Sequence, residues 1–184
     1  MEPVEFAAAA SRLCSACGLC CNGVMFHTVR LQPVDSPREL AALGLKLKRK
    51  KGANYILQPC PAFCGTHCSI YLSRPERCRL FECRQLKRVA SGEITEAMAL
   101  ERIREVQRRV GELEEFLQKS GSANPRRPLA KRYEKATAEP LDESAEPTAL
   151  ELRSRLTLAM RELDALLESE FRIVPMKVPD PAET

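Results

Sequence analysis

The apolar positions change rhythm along the chain. Between Glu93 and Ser120, Ile103, Val106, Val110, Leu113 and Leu117 recur at steps of three and four, the period of one helical face. This spacing predicts a long amphipathic helix over 93–121, closed by Gly121. A second stripe, Leu152, Leu156, Ala159, Leu163 and Leu166, predicts another helix over 149–172. Two such stripes suit an antiparallel pair, or a face shared with a second copy of the chain. Residues 122–148 show no apolar period and are rich in Pro, Ala and Glu. That composition reads as a disordered linker. Its first half is basic (Arg126, Arg127, Lys131, Arg132) and its second acidic (Glu139, Asp142, Glu143, Glu146). Residues 173–184 form a tail.

Upstream the pattern is short and broken. Val24 to Leu31 is β-branched and loosely alternating, a strand signal. Ser36 suits a helix N-cap, Pro37 the first helical position and Glu39 a capping box. Gly44 is the expected stop. Leu45–Lys48 and Asn54–Gln58 flank Lys51-Gly52-Ala53, which reads as a β-hairpin. Cys60 precedes Pro61 and resists regular helix. The run Ser73-Arg74-Pro75-Glu76-Arg77 suits the start of a helical turn carrying Cys78. The expected fold class is α+β. A small cysteine-ligated domain over 1–92, with a short hairpin and helices, precedes the two long helices and their linker.

Nine cysteines fall between Cys14 and Cys83 and none beyond. They read Cys14-x2-Cys17-x2-Cys20-Cys21, then Cys60-x3-Cys64-x3-Cys68, then Cys78-x4-Cys83. An odd number fits a pure disulfide framework poorly. The first residues lack the basic start and long apolar run of a signal peptide, and no stretch suits a membrane span, so a cytoplasmic setting is expected. Dense cysteine in a reducing compartment points to metal or redox chemistry. Thiolate sulfur is a soft donor that suits zinc or an iron–sulfur cluster. Each C-x2-C pair aims two sulfurs at one metal. Consecutive side chains such as Cys20 and Cys21 tend to point apart, so they could serve two centres. Eight thiolates suffice for two zincs or two iron–sulfur clusters. His27 and His67 are further candidate ligands. Arg74, Arg77, Arg79 and Arg84 surround Cys78 and Cys83, where their charge could offset that of bound thiolates.

The chain carries a net charge of +4. Lys46, Lys48, Arg49, Lys50 and Lys51 form a basic run that reads first as a solvated hairpin tip. No aromatic residue is interleaved before Tyr55, so nucleic acid is not the expected partner. No phosphate loop, nucleophile elbow or H-E-x-x-H motif occurs.

Two strings resemble the YkgJ-type cysteine-cluster family of CxxCxxCC zinc- or iron-chelating domains, which is related to a domain in flagellin lysine N-methylases. They are Cys14-x2-Cys17-Gly18-x-Cys20-Cys21 and Cys68-Ser-Ile-Tyr71-x2-Arg74-Pro75-x2-Cys78-Arg79-x-Phe81-x-Cys83; Cys60-Pro61-x-Phe63 fits the segment between them. The resemblance implies Cys14, Cys17, Cys20, Cys21, Cys60, Cys68, Cys78 and Cys83 as metal ligands, and leaves Cys64 outside the set. It implies a zinc or iron–sulfur centre with a structural or electron-transferring role. An iron–sulfur enzyme, methylase-like or oxidoreductase, is the first alternative, although no catalytic residue can be named. A zinc-stapled module binding protein or RNA is the second. Expected partners are a metal ion or cluster, and a protein or second copy through the long helices; no membrane is expected.

Overall fold

The computed structural model describes residues 3–65, 67–122, 124–138 and 147–173. The fold is α+β, with seven helices and one small sheet among the described residues. The helices are α1 (Pro3–Cys17), α2 (Pro37–Ala42), α3 (Glu76–Leu80), α4 (Arg84–Ala90), α5 (Glu96–Lys119), α6 (Leu129–Thr137) and α7 (Pro147–Glu170). Strands β1 (Thr28–Arg30), β2 (Leu47–Lys50) and β3 (Ala53–Leu57) pair antiparallel in the order β1-β3-β2. No described helix is long and apolar enough to cross a membrane.

Helix α5 follows its periodicity. Thr95 caps it by accepting a hydrogen bond from the Met98 amide at 3.2 Å, and Gly121 leaves it at φ +73°. All five expected stripe residues are buried, with Ala99 extending the line. On α7 the buried line is Leu156, Met160, Leu163 and Leu167. Leu152, Ala159 and Leu166 lie on its half-buried flank, so Met160 and Leu167 displace them from the seam. The two helices run antiparallel. Arg155 stacks on Phe116 near one end, Arg109 pairs with Glu162 at 2.8 Å midway, and Arg88, just ahead of α5, reaches Glu170 at 3.0 Å near the other.

The stretch 122–148 differs from the expected linker. Residues 129–137 form α6, with Leu129 and Arg132 buried. Leu129 enters the main core, and Arg132 donates to Glu114 of α5 at 2.7 Å. Leu129, Ala130, Tyr133 and Ala136 recur there at helical steps and all pack on the main core, so an apolar period is present where none was expected. The expected linker's second half, 139–146, lies outside the described residues.

One buried cluster joins Leu13 of α1, Leu19, Val24 and Met25 of the loop after it, Leu86 and Val89 of α4, and the inner faces of α5, α6 and α7. The long helices therefore share a core with the first cysteine segment. A second cluster, Leu31, Leu40, Leu45, Ile56 and Ala62, lies under the sheet. Helix α2 begins as expected, with Ser36 accepting from the Glu39 amide at 3.3 Å, and Gly44 ends it at φ +86°. The hairpin turns through Lys51 (φ +47°) and Gly52 (φ +77°), the left-handed pair that a two-residue hairpin favours.

Candidate metal centre

The first cysteine group grows out of α1. Cys14 and Cys17 stand one turn apart at the end of that helix, and Gly18 (φ +66°) terminates it. Gln107 of α5 donates to the Ala16 carbonyl at 2.7 Å, satisfying part of the helix end where these cysteines project. The chain then turns back: the Cys21 and Asn22 amides donate to the Gly18 carbonyl at 2.8 and 2.9 Å. The Gly23 carbonyl accepts from the Leu129 amide at 3.1 Å, so α6 clamps this loop from outside.

The second group is laid against the first. The Cys60 amide donates to the Cys21 carbonyl at 2.7 Å. Residues 62–65 and 67–69 lie close together: Phe63 and Cys68 are bridged, and Ser69 donates to the Ala62 carbonyl from both its amide and its hydroxyl. Cys78 lies on α3, which begins within the 73–77 run as expected and whose first turn needs a cap. Asp35 takes that role, accepting the Glu76 amide at 2.9 Å from forty-one residues away. Cys83 occupies the N-cap position of α4. The next two residues are gripped by the end of α7, through the Arg84 amide to the Phe171 carbonyl (3.0 Å) and Gln85 to the Glu170 carbonyl (2.9 Å). The C-terminal helix thus helps to place Cys83.

The thiols fall into two neighbourhoods. Cys17, Cys20 and Cys83 pack against the helical core, whereas Cys60 and Cys68 pack against the sub-sheet core. Electrostatics follow the same division. Burial pushes the Cys14 thiol up to about 11, with Cys83 adding to the effect. Burial also pushes Cys17 up to about 12 and Cys20 well above the ordinary thiol value, with Cys14 and Cys83 contributing to both. Cys21 rises to about 12 through burial and then Cys60, Cys78, Cys68 and, from the other group, Cys14. Cys78 rises to about 11 through burial and then Cys60 and Cys68, opposed by Arg74. Cys60 and Cys83 are raised mainly by burial. Cys14 is exposed as a residue. Enough protein still surrounds its sulfur for burial to dominate. Cys21 lies at the junction, because Cys17 and Cys20 also feel its charge. Among the described residues, no group of three or more Cys, His, Asp or Glu side chains is drawn close enough together to hold a metal ion. The thiols share a neighbourhood, and all nine are free.

Cys64 is exposed, and its amide donates to the His67 carbonyl at 2.9 Å within the 63–68 turn. His27 and His67 are both exposed. Of the four arginines, Arg74 acts on both neighbourhoods: it opposes the rise of Cys14 and of Cys78. Its Nε donates to the Tyr71 carbonyl at 3.0 Å, and its guanidinium lies 3.7 Å from the Tyr71 ring centroid. Arg84 is drawn away to the Ser169 carbonyl.

These shifts have a consequence for the metal-free protein. A thiol with a folded pKa above its unfolded value, about 8.5, contributes full stability below that value and loses it as pH climbs through the folded one. Chelated, reduced protein should therefore have a lower Tm at pH 10 than at pH 8, measured by circular dichroism. A Tm that is flat or rises over that range would contradict the burial of these thiols.

No curated protein and no solved structure shows a significant match to the chain. The CxxCxxCC family model, described as "Putative zinc- or iron-chelating domain", matches residues 13–107, just over half of the 184 residues and all nine cysteines. On that match, and on thiols gathered from five segments of the fold, the chain belongs to the CxxCxxCC family.

Proposed function

We propose that the chain is a metal-binding protein with two adjoining four-sulfur centres. Cys14, Cys17, Cys20 and Cys83 hold one, and Cys21, Cys60, Cys68 and Cys78 hold the other. The observation that carries this reading is the packing of Cys17, Cys20 and Cys83 against the helical core and of Cys60 and Cys68 against the core under the sheet. The donor set is all sulfur, and shells of four thiolates take zinc or an iron–sulfur cluster. Either group would tie the α1 end to α4, and the α1 loop to the 60–68 turn and α3. The centres are thus structural, and if they hold iron–sulfur clusters they also carry electrons. Arg74 and the basic surroundings offset the negative charge that four thiolates bring to each metal.

Protein purified without oxygen tests this reading by metal analysis and visible absorption. Brown protein with iron and acid-labile sulfide identifies iron–sulfur clusters. Colourless protein with two zinc ions per chain identifies zinc. Protein that takes up neither, after reconstitution with each, would overturn the proposal. Cys64→Ser should keep the wild-type metal-to-protein ratio, because Cys64 is exposed in a surface turn. Loss of half the metal in that variant would place Cys64 in a shell.

A further inference from the structure

The outer face of the three-stranded sheet carries an arrangement that sequence order conceals. Val29, Ile56 and Leu47 are aligned across the three strands. Ile56 is only 1% exposed, and Val29 and Leu47 pack with it against the sub-sheet core. Side chains alternate along a strand, so the neighbouring row points the other way. That row is Arg30, Tyr55 and Lys48, with Tyr55 on the central strand and paired directly to both. Lys50, aligned with Ala53, lies on the same face one row on. Lys46 lies there one row back, since its carbonyl accepts the Leu57 amide at 3.0 Å and continues the ladder. Arg49 and Lys51 add charge at the hairpin tip.

Arg30, Lys46, Lys48 and Lys50 are exposed. None of them makes an ion pair with a described residue. Charge on β2 alone would be explained by protection of an edge strand against pairing with other chains. That explanation extends to Arg30 on the opposite edge strand, β1, but does not reach Tyr55, which is central. An aromatic ring with a cation on each side, on an open sheet face, matches the chemistry of a base stacked between two phosphates. Arg30 and Lys48 stand roughly 10 Å apart across two strand spacings.

We infer that this face binds single-stranded nucleic acid, with Tyr55 stacking one base and Arg30, Lys46, Lys48 and Lys50 meeting the phosphates. This goes beyond metal binding and holds for either metal, since no proposed ligand lies on these strands.

The test is fluorescence anisotropy of a labelled twelve-residue oligouridylate with full-length, metal-loaded protein. Binding should weaken with salt at a logarithmic slope of about −3, for four phosphate contacts on a single strand. Tyr55→Ala should bind at least fivefold more weakly with that slope unchanged, whereas Tyr55→Phe should bind like wild type. Lys48→Gln should make the slope less steep by about 0.7. Absence of binding at 50 mM salt would overturn the inference. So would a Tyr55→Ala protein that binds like wild type. Polyglutamate competing as well as unlabelled oligouridylate would also overturn it, and would make the face a site for acidic polypeptide. The metal-to-protein ratio is measured on the same samples, so failure of the metal assignment and failure of this surface are read separately.

Discussion

Serine at Cys21 should remove about half of the bound metal, and serine at Cys20 the other half. The two residues are neighbours in the chain, yet they enter different surroundings. Cys20 packs with Cys17 and Cys83 against the helical core. Cys21 feels Cys60, Cys78 and Cys68 most strongly after burial, and its carbonyl receives the Cys60 amide. A structural metal site of this class contributes on the order of 10 kcal/mol to the fold it closes. Loss of one ligand in four should open the segment that its centre ties down. For Cys21→Ser that segment is 60–80, where Arg77 and Arg79 become trypsin sites. For Cys20→Ser it is the end of α1 and the start of α4. The shared core of α1, α4, α5 and α7 should keep both variants folded as a whole. Metal analysis of anaerobically purified variants, with limited trypsinolysis, checks both halves. If either variant loses all its metal, or both open the same segment, the thiols serve a single centre and the partition fails.

Legibility from sequence varied with how local the determining contacts are. Helix α5 was readable because Ile103, Val106, Val110, Leu113 and Leu117 carry their own period, and the partner face only had to accept it. The hairpin and the Ser36 cap were readable for the same reason, since turn and cap chemistry is complete within a few residues. Helix α1 carries the same kind of signal, since Phe6, Ala9, Ala10 and Leu13 recur at helical steps and Ala9 and Leu13 are buried. Helix α6 carries a shorter signal of the same kind in Leu129, Ala130, Tyr133 and Ala136, while its place is set by tertiary contact, Leu129 held by the Gly23 carbonyl and Arg132 by Glu114. At the site, the spacing of the cysteines indicated thiolate chemistry and two groups. It could not show that Cys83 joins the first group, because that depends on α7 gripping Arg84 and Gln85. Nor could it show Asp35 capping α3, or Arg30 and Lys48 flanking Tyr55. Each of these joins residues far apart in the chain.

Gly18→Ala should be among the most damaging single changes outside the cysteines, for two separable reasons. Gly18 sits at φ +66°, where a side chain costs about 1–2 kcal/mol. A Cβ there would also lie 2.3 Å from Phe63 Cζ, with two further ring atoms at 3.0 and 3.1 Å. The bare glycine lets the Phe63 ring lie on the Cys14–Cys21 turn, and Phe63 is bridged to Cys68. That contact fastens the first cysteine group to the second. Pushing the ring aside should cost roughly another 1–3 kcal/mol, as overpacking does, and should move the 60–68 turn. Gly44 separates the two terms. It has φ +86° and nothing within 4 Å of the added Cβ, so Gly44→Ala should show only the backbone cost. Gly18→Ala should therefore fall well below Gly44→Ala in Tm and should bind metal more weakly in competition with a chelator. Adding Phe63→Leu to Gly18→Ala should recover part of that loss by removing the ring tip, a coupling that a double-mutant cycle reads directly. If Gly18→Ala is as mild as Gly44→Ala, or if the cycle shows no coupling, Phe63 does not join the two cysteine groups.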